Sequence, residues 1–339
     1  MKIQAAIIGC GRVAGGYDQA HGPGGCFTHA GAYRLCPDVE LVAAVDPDPS
    51  RLAEFGKSWN VTHLYAHTED LLKKHPVQIV SVCVPDAFHE SVVSQVLQIR
   101  PPKVIFAEKP FTLESQAAKT LWNASRAANS RIVINYQRRW ERGHQQARDL
   151  IQSGGIGQVV TATAFYVKGL YHMGCTAIDT LRFLVSEVDC VRSIGEASQA
   201  TTPTDPSVDA VLHLKNGATA VLLGADRIGY RYSIFELDIL GTTGRIRISE
   251  NGQSIRIFRA QPDPRDPSCL DLQEKNAQTI PSDMGSAIPN GMRQIVRFVS
   301  GQGEPPDSDA QEAYRNLCVL DAISLSKSRQ GALVPVVSS

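Results

Sequence analysis

The sequence predicts an α/β protein in two parts: a doubly wound parallel sheet first, then an α+β domain built on an antiparallel or mixed sheet. Three observations predict it. The first 135 residues alternate short unbroken apolar runs with amphipathic helical stretches. A glycine loop follows the first run directly. After Gln137 the runs change to period-two alternation, separated by turn residues.

The strands of the first part fall at Ile3–Ile8, Leu41–Val45, Ile79–Val84, Val104–Ala107 and Ile132–Ile134. None alternates with polar residues, which is the mark of strands covered on both faces. Val92, Val93, Val96 and Leu97 share one helical face; Ala118, Leu121 and Trp122 share another. Thr68 before Glu69-Asp70 and Thr112 before Leu113-Glu114 have the chemistry of helix N-caps. Such alternation gives parallel strands joined by right-handed crossovers.

The second part opens with a helix from Arg142 to Gln152, ended by Gly154-Gly155. Strands follow at Val159–Val167, Ala210–Leu214, Thr219–Leu223, Phe235–Leu240, Arg245–Ile248 and Ile255–Phe258. Asn216-Gly217, the stretch from Gly241 to Gly244, and Asn251-Gly252 supply the turns. Residues 261–289, rich in Pro, Asp and Ser, read as a long surface loop. Helices near Gly291–Ser300 and Ala310–Ser326 close the chain. The expected division is 1–136 and 137–339, with the cleft between the two domains as the default active site.

Composition narrows the function classes. A chain of 339 residues suggests about two domains. Hydrophobic residues make up 43% and charged residues 20%, which excludes a disordered or disulfide-stapled chain. Lys plus Arg equals Asp plus Glu at 34 each, so no basic field draws nucleic acid or an anionic membrane. No apolar run reaches the roughly 18 residues of a membrane-spanning helix. The run in MKIQAAIIGCG is too short for a secretion signal, so a cytoplasmic protein is expected. The eight cysteines form no C-x-x-C pair and read as buried reduced thiols, with no metal site. His63 and His67 are four apart on a strand-like stretch, about 13 Å, too far for one metal.

Gly9-Cys10-Gly11-Arg12-Val13-Ala14 fits G-x-G-x-x-A between a strand and a helix, the context that gives this pattern meaning. Gly9 permits the tight turn. Gly11 lets the backbone approach a pyrophosphate, which the helix N-terminus attracts; Arg12 and Val13 open that helix. Asp46 ends the second strand, where a carboxylate accepts ribose hydroxyls and repels a 2′-phosphate. NAD is therefore the expected cofactor. The spacing from the loop to Asp46 is longer than usual, and the Gly-rich stretch from Gly15 to Gly25 accounts for the excess as an insertion.

Three further segments carry a resemblance. They are Cys83-Val84-Pro85-Asp86-Ala87-Phe88-His89, Glu108-Lys109-Pro110, and GLYHMGCTAIDTL from Gly169 to Leu181. With the glycine loop, in this order along nearly the whole chain, they resemble the glucose–fructose oxidoreductase / inositol dehydrogenase / MocA family. The resemblance implies a Rossmann domain followed by a domain with a large open, mainly antiparallel sheet. It also implies NAD(P)-dependent redox chemistry on hydroxyls of sugars, polyols or sugar nucleotides, and a homodimer or homotetramer. It places Pro85, His89, Glu108 and Lys109 near the cofactor, with His89 as a structural hydrogen-bonding residue rather than a catalyst.

Oxidising a secondary alcohol needs a hydride acceptor and a base for the hydroxyl proton. Lys109 is the first candidate, either as that base or as a cation polarising the oxygen. The third segment departs from the family pattern: His172 and Thr176 stand where the pattern has Asp and His. Thr176 cannot act as a base near neutral pH, and His172 can. On a helix start, 172 and 176 would share one face. His172 is thus a candidate base or proton relay, or it lines the substrate pocket. Tyr136, Arg139, Thr176 and Asp179 are candidate substrate contacts. Arg138 and Arg139 would suit a substrate phosphate or carboxylate. Two other functions compete with the dehydrogenase: an NAD-dependent glycosidase working through transient oxidation, and a non-catalytic NAD(P)-binding regulator.

Overall fold

The computed structural model describes residues 2–20, 25–196, 204–225 and 234–338. Positions 21–24 of the expected insertion lie outside them.

The chain begins with β1 (Ile3–Ile8), α1 (Tyr17–Ala20), α2 (His29–Arg34), β2 (Val39–Val45), α3 (Pro49–Trp59) and β3 (His63–Tyr65). It continues with α4 (Thr68–Lys74), β4 (Ile79–Val82), α5 (His89–Ile99), β5 (Val104–Ala107), α6 (Ser115–Ala127) and β6 (Arg131–Ile134). These six strands form one parallel sheet in the order β3-β2-β1-β4-β5-β6. Ala5, Ala6, Ile7, Ile79, Val80, Val104, Ile105 and Phe106 are wholly buried, which is why these strands lack polar alternation. Val93, Val96 and Leu97 of α5 and Ala118 and Leu121 of α6 are buried on their predicted faces.

Two caps differ from the sequence expectation. His67 occupies the N-cap of α4 and Thr68 is its first helical residue. Glu114 is the N-cap of α6, while the Thr112 hydroxyl donates to the Glu114 carbonyl at 2.7 Å. Thr112 is spent inside the loop, so the helix starts three residues after it.

The rest of the chain runs through α7 (Arg142–Gln152), β7 (Val159–Tyr166), α8 (Cys175–Leu184), β8 (Val188–Glu196), β9 (Val208–Leu214) and β10 (Thr219–Gly224). There follow β11 (Phe235–Gly241), β12 (Gly244–Ser249), β13 (Ser254–Arg259), β14 (Gln261–Pro262), β15 (Leu270–Asp271) and β16 (Gln278–Ile280). Last come α9 (Ala287–Val299), α10 (Ala310–Ser328) and β17 (Val334–Pro335). The large sheet has nine strands in the order β16-β13-β12-β11-β7-β10-β9-β8-β17. It is antiparallel except where β10 pairs with β7. One face is buried through Ala162, Ala164, Tyr166, Leu212, Leu222, Leu237 and Ile239. The other carries half-buried Val211, Val221 and Leu223 and exposed Phe165 and Leu240.

Strand β8 was not legible in the sequence. Register shifts between Val188 and Cys190 and between Ser193 and Gly195 break its alternation, and with it the period-two signal. The expected loop over 261–289 instead contains three short strands and the start of α9. Pro289 is the third residue of α9, where an N–H has no intrahelical acceptor to lose.

Two compact units result, and neither is continuous in sequence. The first is Met1–Trp140 with Gly285–Leu317; the second is Glu141–Met284 with Cys318–Ser339. A linear division at 136/137 leaves 285–317 with the second sheet, whereas it packs with the first. Ile288, Met292, Ile295 and Val296 of α9 join the core that holds Ile7, Ile79, Phe106 and Trp140. The amphipathic face of α9 finds its partner far back in the sequence. No helix among the described residues is long and apolar enough to cross a membrane.

Candidate active site

In the first unit, β1, β4 and β5 are neighbours in a parallel sheet, so the segments that follow them meet along one edge. Gly9 leaves β1 with φ +89° and donates to the Val45 carbonyl at 2.8 Å. A Cβ on Gly9 would lie 2.7 Å from the Cys83 carbonyl oxygen, which only glycine avoids. Gly11 is different: a Cβ there would meet nothing within 4 Å. The space over Gly11 is open, as close approach of a pyrophosphate requires. A cavity at this place is lined by Cys10, Gly11, Arg12, Gly16, Arg51, Glu54 and Phe55. Arg12 opens the turn at 12–16 that leads into α1, and Val13 follows it half-buried. These residues fit a dinucleotide.

Asp46 is 3% exposed, and its carboxylate already accepts protein donors. The Cys10 N–H lies 2.8 Å from one oxygen and the Asp48 N–H 2.9 Å from the other. Arg51 pairs with it at 3.3 Å and reaches the cavity wall. Asp46 thus ties the glycine loop to the end of β2. The N-cap of α3 is Asp48, not Asp46. Burial pushes the Cys10 thiol up to about 12 and the Cys83 thiol well above its usual range, so neither is a nucleophile.

After β4, Pro85 precedes a single turn at Asp86–Phe88, and His89 begins α5. His89 is fully buried; its Nδ1 lies 2.6 Å from the Pro110 carbonyl and its Nε2 2.8 Å from the Val84 carbonyl. It clasps the segment after β4 to the segment after β5.

Glu108 and half-buried Lys109 follow β5, and the Lys109–Pro110 peptide is cis. Burial opposes charge on Glu108, yet hydrogen bonds from His29 and Asn135 hold its carboxyl below the usual range. Sequence reasoning missed His29, Arg51 and Asn135. Arg51 meets Asp46 five residues back, whereas Asn135 and His29 reach Glu108 only through the fold, and no spacing links residue 29 to residue 108.

Tyr136 and Arg139 follow β6 but turn inward. Tyr136 is 2% exposed, and its hydroxyl takes a hydrogen bond from Asn316 at 3.1 Å. Arg139 is buried and pairs with Glu312 at 3.0 Å; Arg138 is buried as well. The positive charge assigned to a substrate anion is answered within the unit.

In the second unit, His172 lies in a wide turn, Leu170–Gly174, closed by the Gly174 N–H on the Gly169 carbonyl at 3.0 Å. Helix α8 starts only at Cys175. His172 lies in this turn and Thr176 is the second residue of α8, so their four-residue spacing runs across the junction of turn and helix rather than along one regular α-helix. Asp205 accepts the N–H groups of Tyr171 at 3.0 Å and His172 at 2.9 Å and sets the turn. His172 is half-buried, Thr176 is 8% exposed and Asp179 1%. Among the described residues, no group of three metal-ligating side chains comes together. His63 stacks on His75, not on His67.

Comparison with known proteins bears on this arrangement. Residues 3–136 match the model of an oxidoreductase family with an NAD-binding Rossmann fold. Residues 167–247 match the GFO/IDH/MocA C-terminal domain. The chain is 21% identical to a D-apiose dehydrogenase of Paraburkholderia graminis, over 99% of this chain and 90% of that one. It is 23% identical to a myo-inositol 2-dehydrogenase of Thermotoga maritima, over 72% of this chain and 74% of that one. The WlbA dehydrogenase of Bordetella pertussis, solved with NADH and UDP-GlcNAcA, superimposes with a TM-score of 0.79 at 20% identity. That match covers 99% of this chain and 98% of the other, and it shows the shared fold.

Proposed function

The chain belongs to the GFO/IDH/MocA oxidoreductase family, an NAD-dependent dehydrogenase by its domains, and on that premise we propose that it oxidises a secondary hydroxyl of a neutral sugar or polyol. The observation that carries this reading is Lys109, half-buried after β5 at the carboxyl edge of the parallel sheet whose β1, two strands away, leads into the glycine loop, the edge where such sheets bind ligands. NAD, when bound, would supply the acceptor for a hydride from the carbinol carbon. Gly9, Gly11, Arg12 and Val13 hold its pyrophosphate, and Pro85 and Glu108 shape the edge beside it. Asp46 selects NAD over NADP through the ribose. Lys109 exchanges the hydroxyl proton, and His172 serves as the second base or relay. Thr176 and Asp179 are the candidate substrate contacts of this segment.

Two facts support the neutral class. Arg139 is paired with Glu312, which leaves no reason to prefer a phosphorylated or acidic sugar. Relatives named for D-apiose and myo-inositol act on uncharged polyhydroxy compounds. We further propose a homodimer or homotetramer joined through the less buried face of the nine-stranded sheet.

The test is NADH formation with a panel of neutral sugars and polyols, myo-inositol and D-apiose included. Lys109→Ala and His172→Ala should each lower kcat by about a hundredfold or more while NAD still binds. Near-normal turnover in either variant removes that residue from the mechanism. Glycoside cleavage without net NADH would instead mark the transient-oxidation reaction. Cofactor binding with no turnover of the panel would mark a regulator.

A further inference from the structure

The segment bearing Glu108 and Lys109 is held from within the first unit by a chain of buried polar side chains. Tyr33 Oη lies 2.8 Å from Ser81 Oγ, and Ser81 Oγ lies 2.9 Å from His29 Nδ1. His29 Nε2 lies 3.0 Å from Glu108 Oε1, and Asn135 Nδ2 donates to the same oxygen. Glu108 Oε2 accepts the backbone N–H of Lys109 at 3.3 Å. His29 and Ser81 are completely buried, and Tyr33 and Asn135 nearly so.

The Glu108 carboxylate only accepts, so His29 Nε2 carries a hydrogen. The Tyr33 and Ser81 hydroxyls and His29 Nδ1 can each give or take a hydrogen, so the bonds of the chain are met from Tyr33 to Glu108. The Phe106 ring, 4.3 Å from the imidazole, packs against it and limits its rotation.

We infer that His29 is a positioning residue for Lys109: through Glu108 it fixes the backbone from which the Lys109 side chain departs. This rests on the reading of Lys109 as the proton-exchanging group. Without the His29 donor, a buried carboxylate loses one of three hydrogen bonds. It is then free to close on the Lys109 ammonium, whose charge already reaches it.

Two near-isosteric variants separate the two ends of the ring. In His29→Gln the amide nitrogen reaches about as far as Nε2 and keeps a donor on Glu108. In His29→Asn the amide reaches only as far as Nδ1, which keeps the Ser81 side and loses Glu108. NADH formation is followed with myo-inositol, or with the panel member that the parent protein turns over fastest. His29→Gln should hold kcat within about threefold of the parent. His29→Asn should lose about tenfold or more in kcat with KM for NAD unchanged. Equal loss in both, or no loss in His29→Asn, overturns the inference. Ser81→Ala removes one hydroxyl and leaves the ring in place, which guards against misfolding of the His29 variants. It should lower kcat about threefold to tenfold at constant KM, and an unchanged kcat also overturns the inference. Lys109→Met is measured alongside. If it keeps kcat, the reading of Lys109 fails and the inference falls with it. If it loses kcat while His29→Asn does not, the inference alone fails.

Discussion

At the scale of the residue, Gly9 and Gly11 make different demands although one motif contains both. Gly9 is required by the fold, because its φ is +89° and Cys83 backbone lies where a Cβ would be. Gly11 is open, and its requirement comes only from a ligand. Gly11→Ala should therefore melt like the parent without cofactor but bind NAD about tenfold or more weakly. Gly9→Ala should lose stability with no cofactor present, by about 1–3 kcal/mol. Thermal-shift titration with NAD and NADP checks both. The same titration on Asp46→Ala tests the ribose role: an unchanged preference for NAD over NADP removes it. Glu141 offers a test by pH. Burial opposes its charge, but hydrogen bonds from the His144 ring and from the Asp283, Gly143 and His144 amides hold its pKa at about 2, against a usual 4.5. A depressed folded-state value means stability fully present above the unfolded value and lost as pH falls from about 4.5 toward 2. The loss is on the order of 3 kcal/mol. Urea unfolding from pH 6 to pH 3 should show it, and Glu141→Gln should flatten that acid limb while lowering stability at neutral pH.

At the scale of the element, the wide turn at Leu170–Gly174 depends on one side chain from a distant segment. Asp205 meets two of its amides and is the acceptor that orients His172. Asp205→Ala leaves both amides unmet, at a cost of about 1–3 kcal/mol. If His172 has the proposed role, kcat should fall by about tenfold or more while NAD affinity stays put. Asp205→Asn, with one acceptor oxygen, should fall between. Equal turnover in all three proteins would separate the turn from the chemistry. Elements with regular periodicity were legible: the parallel strands, α5, α6, α7 and most of the second sheet. Strand β8 was not, because its two register shifts erase the alternation on which a strand is recognised. The start of α9 was hidden by Pro289, a residue that reads as a break but is tolerated in a first turn.

At the scale of the whole molecule, one face of the nine-stranded sheet is the more buried among the described residues. On the other, Phe165 pairs with Leu223 across β7 and β10, and Val211 with Val221 across β9 and β10. A strip of this kind is a common site of self-association. Light scattering should give a dimer or tetramer, and Phe165→Glu with Leu223→Glu should reduce it to a monomer. A monomeric parent protein would end the proposal. The return of 285–317 to the first unit is also a property of this scale. It makes the first unit dependent on a segment synthesised after most of the second, which no linear division of the sequence can express.

By itself the sequence determined the order of the regularly patterned elements, the two kinds of sheet, and the places of the glycine loop, Asp46 and Glu108-Lys109-Pro110. These are local properties: apolar period, turn chemistry, and short motifs whose spacing follows from one strand and one helix. Only the tertiary structure decided which polar groups are spent on the protein. Arg139 and Tyr136 look available in sequence, yet Glu312 and Asn316 meet them from α10. Asp46, proposed to meet a ribose, is already committed to the glycine loop. His29 looks incidental among glycines, and folding brings it to Glu108 across 79 positions of sequence. The physical reason is the cost of burying an unmet polar group: partners must be found wherever the chain returns, and that return is set by packing, not by spacing.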